Sequence, residues 1–131
     1  MSVWTRMKSQ VLEEKVNMEY FTEAMKELEI TLDFSVKEIK NYYGKDKVDA
    51  MIRYKGNSTA LGILQNAKGG VDVIGDTYKS GIVQDNQHQK LVNMMAQAYQ
   101  VYKTKQQLEL AGWTVTSKKV NDKVELVCEQ W

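Results

Sequence analysis

The chain of 131 residues carries 18 Lys and Arg against 17 Asp and Glu, and this balance excludes a broad cationic surface of the kind that binds nucleic acid. One Cys and one His exclude both an internal disulfide and an ordinary protein-only zinc site. The length fits one domain over residues 1–131, and no proline or Ser/Gly-rich linker divides it.

The sequence also gives expectations about the compartment. No uncharged apolar run is long enough to cross a bilayer, and the first residues lack the apolar centre of a signal peptide. The single Cys128 suits a reducing compartment, and we expect it to be a small buried hydrophobe in a strand. We therefore expect a cytoplasmic protein, or one in an organelle interior, with no membrane partner.

The first elements predicted are a strand and a helix. Residues 3–8 alternate, with Val3, Thr5 and Met7 on one face and Trp4, Arg6 and Lys8 on the other. Asn17 then predicts a helix cap, with a hydrophobic staple between Val16 and Phe21. The buried stripe of this helix is predicted at Met18, Phe21, Ala24, Met25 and Leu28, and the helix is expected to end near Glu29.

From residue 31 onward the apolar period changes from that of a helix to two. Alternating or apolar runs at residues 31–39, 48–54, 60–64 and 71–74 are separated by turn-prone segments at 43–46, 56–58 and 68–70. Short turns of this kind join antiparallel neighbours. The sequence therefore predicts four antiparallel strands in a meander.

The longest periodic stretch, Asn86–Gly112, predicts the helix around which the chain is organised. Its apolar residues recur at spacings of three and four, from Leu91 to Ala111. Asn86 and Gln89 predict a capping box at the start, and Gly112 predicts a left-handed residue at the end. Beyond it, apolar runs on either side of Asn121-Asp122 predict a final hairpin.

This order of strand, helix, four strands, long helix and two strands favours an α+β fold. Helices that segregate to one face of an antiparallel sheet form a layered structure. We expect a single-domain antiparallel sheet with two helices on one face, in which a curved sheet grips the long helix.

Several short motifs, in this order, resemble an uncharacterised family that includes the proteins of hypothetical chloroplast reading frame thirty-five, found in plastids, cyanobacteria, other bacteria and phages. The motifs are Met1–Lys8, Tyr43-Gly44, Val48-Asp49-Ala50, the strand at Gly62, Val71–Asp76, Gln97 and Tyr99 of the long helix, Leu110–Val115 and Trp131. The resemblance covers almost the whole chain and implies no established activity. It implies an association with ATPases of the AAA class, suggested for some members by gene neighbourhood.

The sequence offers no catalytic constellation and no cofactor motif. The Gly69-Gly70 pair leads into a strand and not into a helix, so it predicts a turn and not a phosphate-binding loop. His88 is expected to be an exposed residue at the start of the long helix. Asp72 and Asp76 would be about 13 Å apart on one strand, so we interpret them as polar residues of a solvent face.

Aromatic residues give the candidate interaction sites. If Trp4, Tyr54 and Tyr78 share a sheet face with Arg6, Arg53 or Lys55, they could stack on bases or on a small ring. Core filling and interface contacts are the commoner uses of such residues. The candidate set is Trp4, Arg6, Arg53, Tyr54, Tyr78, Trp113 and Trp131.

Two functional hypotheses remain open. The first is a non-enzymatic module that binds a protein, either a second copy of the chain or an AAA-class ATPase. The second is a module that binds a small ligand, a nucleotide or nucleic acid on the concave face of the sheet.

Overall fold

The computed structural model describes residues 5–7, 10–41, 44–120 and 123–130, and within them it confirms the α+β class. Its helices are α1 (Gln10–Glu13), α2 (Met18–Met25), which continues as a 3₁₀ turn over Lys26–Leu28, and α3 (His88–Leu110). Its strands are β1 (Thr5–Met7), β2 (Ile30–Asp33), β3 (Glu38–Asn41), β4 (Gly44–Lys47), β5 (Ala50–Tyr54), β6 (Asn57–Gln65), β7 (Val71–Gly75), β8 (Trp113–Val120) and β9 (Lys123–Gln130).

Five of these strands form the central sheet, in the order β1-β7-β6-β5-β2 with every neighbouring pair antiparallel. The predicted meander is present as β2, β5, β6 and β7, and β1 extends it beside β7. Two further antiparallel pairs, which we call the β3–β4 hairpin and the β8–β9 ribbon, form separate two-stranded sheets.

The start of α2 follows the predicted chemistry. Asn17 has extended backbone angles, and its side-chain oxygen accepts a hydrogen bond from the Tyr20 amide at 3.1 Å. Val16 and Phe21 are both buried in the main core. The segment ends at Glu29, whose φ of 59° places it in the left-handed region.

The two faces of the central sheet carry two separate apolar clusters. Successive side chains of a strand point to opposite faces, so Ile52 joins the cluster under the helices and Met51 joins the other. The larger cluster packs the sheet against α2 and α3, with Leu91, Met95 and Tyr99 of α3 fully or almost fully buried. The long helix therefore lies against the sheet as the sequence predicted.

The opposite face is covered by the β3–β4 hairpin, which the sequence prediction missed. The single strand expected over residues 31–39 is broken after Asp33, and the segment expected as a turn at residues 43–46 contains β4. Ile39 and Val48 are buried against Met51 and Ile74 of the sheet. Gly62 faces this layer closely, because a Cβ built on it would stand 2.5 Å from Val48 Cγ1.

The ends of α3 differ in how well the sequence predicted them. The predicted capping box at Asn86 and Gln89 is wrong. Asn86 has a φ of 68°, and Gln87 takes the cap position without a side-chain hydrogen bond. Gln89 Nε2 donates instead to Asn93 Oδ1, one turn further along the helix, at 2.9 Å. Gly112 has a φ of 91°, which confirms the left-handed residue after the helix.

Candidate functional site

The candidates that the structure describes come from different elements of the fold. Trp4 and Trp131 lie outside the described residues, and Arg6 belongs to β1, where it pairs with Ile74 of β7. Arg53 and Tyr54 are consecutive in β5 and so point to opposite faces of the sheet. Of the three cationic partners that the sequence suggested for Tyr54, Arg53 is therefore excluded.

Arg53 is held by an acidic neighbour on the adjacent strand. Its Nε donates to Asp33 Oδ2 at 2.8 Å, and Asp33 Oδ1 accepts the Ser35 amide at 3.0 Å. The hydrogen bonds from Ser35 and Arg53 hold the pKa of Asp33 below its ordinary value. This arrangement joins the end of β2 to the turn before the β3–β4 hairpin.

Tyr54 packs on the helix side of the sheet. It contacts the main core, and a Cβ on Gly81 would lie 3.3 Å from its ring. Lys55 Nζ sits 5.2 Å from the centre of the Tyr54 ring and 3.4 Å from Glu29 Oε2. The pKa of Lys55 is raised above its ordinary value, mainly by the Glu29 carboxylate and to a smaller extent by Tyr54.

Tyr78 and Trp113 are the remaining described candidates. Tyr78 is 42% exposed in the loop between β7 and α3, with Lys79 Nζ 5.3 Å from its ring centre. Trp113 is half-buried at the start of β8. Both side chains therefore keep surface that a partner can contact.

The polar residues of the loop between β7 and α3 hold the loop itself. Thr77 is completely buried, and its Oγ1 accepts a hydrogen bond from the Asn86 amide at 3.1 Å. The same oxygen lies 3.5 Å from His88 Nε2. Asp85 Oδ1 accepts the Lys79 amide at 3.0 Å. A buried hydroxyl that already accepts a backbone hydrogen bond is poorly placed for attack on a substrate, so the cluster fixes the start of α3.

The interpretation of Asp72 and Asp76 as solvent-facing residues is wrong. Asp72 and Asp76 are both buried, at 4% and 8% exposure. Asp72 lies in β7 between Val71 and Val73, on the opposite face from them, and Asp76 follows the strand and accepts the Tyr78 amide at 2.9 Å. A short polar side chain at the end of a strand can accept such a bond from its own turn.

A groove between α2 and α3 was not predicted. It has a volume of about 410 Å³, and we define the α2–α3 groove by its lining residues Met18, Glu19, Tyr20, Thr22, Glu23 and Tyr102. The Tyr20 and Tyr102 rings meet edge to face with centroids 5.6 Å apart. One turn before Tyr102, the hydroxyl of Tyr99 accepts the Asn17 amide at 3.1 Å, which ties the start of α2 to α3.

Sequence patterns alone could not find this groove. The spacings of Met18 to Thr22 and of Glu19 to Glu23 place each pair on one side of α2. Tyr99 and Tyr102 are likewise three apart on α3. Only the packing of the two helices brings these sides together.

The β8–β9 ribbon is the second surface of interest. All eight residue pairs, from Trp113 with Gln130 to Val120 with Lys123, stay in register. Val115 is buried beside α3, whereas Val127 is 45% exposed. Cys128 is also exposed, so the expectation of a buried thiol is wrong. Two apolar side chains of β9, Val127 and Cys128, therefore keep exposed surface.

Comparisons with known proteins add no assignment. The chain matches no protein-family model, no curated protein and no solved structure. The resemblance to the chloroplast reading-frame family therefore stays a prediction.

Two features are absent from the described residues. No helix there is both long and apolar enough to span a membrane. No three His, Cys, Asp or Glu side chains in that part of the chain are grouped so that they could hold a metal ion.

Proposed function

We propose that this protein is a non-enzymatic interaction module that binds a partner protein through the β8–β9 ribbon. The observation that carries the proposal is the exposure of apolar side chains on a long, regular strand pair. Val127 is 45% exposed on one face of β9 and Cys128 is exposed on the other, and Leu110, just before the ribbon, is 81% exposed.

The backbone of the ribbon supports the same function. A two-stranded sheet has two edges, and within the described residues β8 and β9 pair only with each other. An edge strand presents unpaired N–H and C=O groups that another chain can extend. Neither strand contains a proline, a glycine or a register shift that would block such pairing.

Isolated strand pairs gain little stability by themselves. A two-stranded hairpin is marginal in water, so the ribbon depends on what it packs against. Part of that support comes from α3, which contacts β8, where Val115 is buried. A partner that covers Val127 and the outer edge of β9 would supply the remainder.

An AAA-class ATPase is the partner that the family resemblance implies, and a second copy of the chain is the other protein candidate. Self-association through paired β9 edges would close into a symmetric dimer. Light scattering of the pure protein over a range of concentrations separates the two, because a mass that stays monomeric leaves a different protein as the partner.

The small-ligand hypothesis has less support on the face where the sequence placed it. The helix side of the sheet is filled by apolar side chains of the main core, including Ile52, Ile63 and Met95. A nucleotide would have to displace them. The α2–α3 groove has the volume of a ligand site, but its two glutamates repel phosphate groups.

The test is affinity capture from the host cell with three versions of the full chain. Val127→Glu places a charge on the exposed side of β9, and Thr31→Glu places the same charge on β2, an edge of the central sheet. We expect a protein that the parent and Thr31→Glu retain and Val127→Glu loses. Equal retention by both variants would remove the ribbon as the docking element.

The non-enzymatic part of the proposal has its own test. Purified protein should not hydrolyse nucleotides or esters above the rate of a buffer control. Steady hydrolysis that His88→Ala abolishes, in a protein that remains folded, would overturn it.

A further inference from the structure

The α2–α3 groove lies at the surface between the first two turns of α2 and the later part of α3. Its aromatic side is formed by Tyr20 and Tyr102, which are half-buried and meet edge to face at 5.6 Å. Met18 adds a polarisable thioether. The groove is open to solvent and has a volume of about 410 Å³, within the range of sites that hold a small group.

The polar side chains of the groove accept hydrogen bonds more readily than they donate them. Glu19 and Glu23 contribute carboxylates, and both residues are exposed. Thr22 uses its hydroxyl proton internally, because its Oγ1 donates to the Met18 carbonyl at 2.8 Å. The faces of the tyrosine rings carry partial negative charge. Together these groups form an environment for an organic cation.

The surroundings strengthen this preference. Residues 13–29 contain six Glu and two Lys, so the α2 side of the groove carries a net negative charge, whereas Lys103 and Lys105 follow Tyr102 on the α3 side. Glu23 already accepts a hydrogen bond from the Lys26 ammonium at 2.9 Å. Both side chains are about half exposed, so another cation can replace Lys26 at little cost. Glu19 makes no ion pair with any residue that the structure describes.

We infer that the α2–α3 groove binds a Lys or Arg side chain of a partner polypeptide. The cationic head lies against the Tyr20 and Tyr102 rings and beside the Glu19 carboxylate, and the alkyl stem contacts Met18. This surface is separate from the β8–β9 ribbon, so Val127→Glu should leave the binding unchanged.

The probe is acetylated hexalysine, added to the ¹⁵N-labelled full chain at low ionic strength. We expect the backbone signals of Met18, Tyr20 and Tyr102 to shift most. Acetylated hexaglutamate is the matched probe of opposite charge and should cause no comparable shifts. Shifts spread evenly over the surface, or centred elsewhere, would overturn the assignment to the groove.

Two pairs of variants identify the groups that bind. Glu19→Gln should weaken the affinity for hexalysine about two- to fivefold, whereas Glu27→Gln, which removes the same charge outside the groove, should change it less than about twofold. Tyr102→Leu should also weaken it two- to fivefold, and Tyr102→Phe, which keeps the ring, should not.

Thermal unfolding of each variant establishes that it is folded. Equal losses in Glu19→Gln and Glu27→Gln would show that only the general negative charge attracts the peptide. Parent-like binding by a folded Tyr102→Leu would show that the ring does not contribute. Either outcome would overturn the inference.

Discussion

The β3–β4 hairpin and the β8–β9 ribbon are both two-stranded sheets outside the central one, but they differ in what covers their apolar residues. Ile39, in the first, is 4% exposed against the central sheet, whereas Val127, in the second, is 45% exposed. The hairpin strands are four residues long and the ribbon strands eight.

The apolar surface of the hairpin is part of the folded core, whereas the exposed apolar surface of the ribbon is available to a partner. The short hairpin buries what little apolar area it has, so its stability is part of the stability of the fold. The longer ribbon exposes apolar area that costs free energy in water, on the order of 25 cal/mol per Å². Docking of a partner would recover that free energy, and no comparable gain is open to the hairpin.

The largest expected effect is on the free energy of unfolding, and it compares one residue of the β3–β4 hairpin with one of the β8–β9 ribbon. Ile39→Ala should lower the free energy of unfolding by about 2–4 kcal/mol, because it leaves a cavity between the hairpin and the sheet. Val127→Ala should change it by less than about 0.5 kcal/mol. Urea denaturation measures both. Similar costs for the two variants would show that the hairpin and the ribbon are equally integrated into the fold.

A smaller effect sharpens the hairpin side of the contrast. Gly62→Ala should cost about 1–3 kcal/mol, since the new Cβ would stand 2.5 Å from Val48 Cγ1 and 3.0 Å from the Ala50 carbonyl oxygen. The same substitution in a Val48→Ala background should cost at least about 0.5 kcal/mol less. An identical cost in both backgrounds would mean that contact with Val48 is not the cause.

The smallest effect concerns pH and the turn that leads into the hairpin. Because hydrogen bonds from Ser35 and Arg53 lower the pKa of Asp33 in the folded protein, its stabilising contribution is complete above the unfolded value of about 3.9. The contribution is lost as the pH falls through the lower, folded pKa.

Asp33→Asn provides the comparison for this effect. The difference in unfolding free energy between the parent and Asp33→Asn should be constant near neutral pH and should shrink below about pH 3.9. A difference that does not change with pH down to acid unfolding would contradict the assignment of the lowered pKa.

Local sequence signals determined the parts of the fold that depend on neighbouring residues. Asn17 caps α2 through its own side chain, and Gly112 ends α3 because a residue without Cβ adopts a left-handed conformation at little cost. The apolar period predicted the face of α2 that the core buries, at Phe21, Ala24 and Met25. On α3 it found Leu91 and Met95 but missed Val92, Ala96 and Tyr99, which are also buried. The meander followed from the turns between β5, β6 and β7.

Other local signals were overridden by contacts with distant residues. Asn86 has the right side chain for a cap, but its amide is held by Thr77 and its φ is 68°, so α3 begins later. Arg53 and Tyr54 are adjacent in sequence, yet the strand sends them to opposite faces. Cys128 has a pattern typical of a buried strand residue, but its side chain is exposed in the ribbon, although its cross-strand partner Val115 is buried.

By itself the sequence determined the α+β class, the meander and the long helix, because each depends on periodicity and turn chemistry within a short stretch of chain. Only the tertiary structure decided which sheet face the β3–β4 hairpin covers, that Val127 of β9 stays exposed, and that Tyr20 and Tyr102 meet beside two glutamates. These features join residues far apart in the chain, and their free energy comes from burial and packing that exist only once the elements have met.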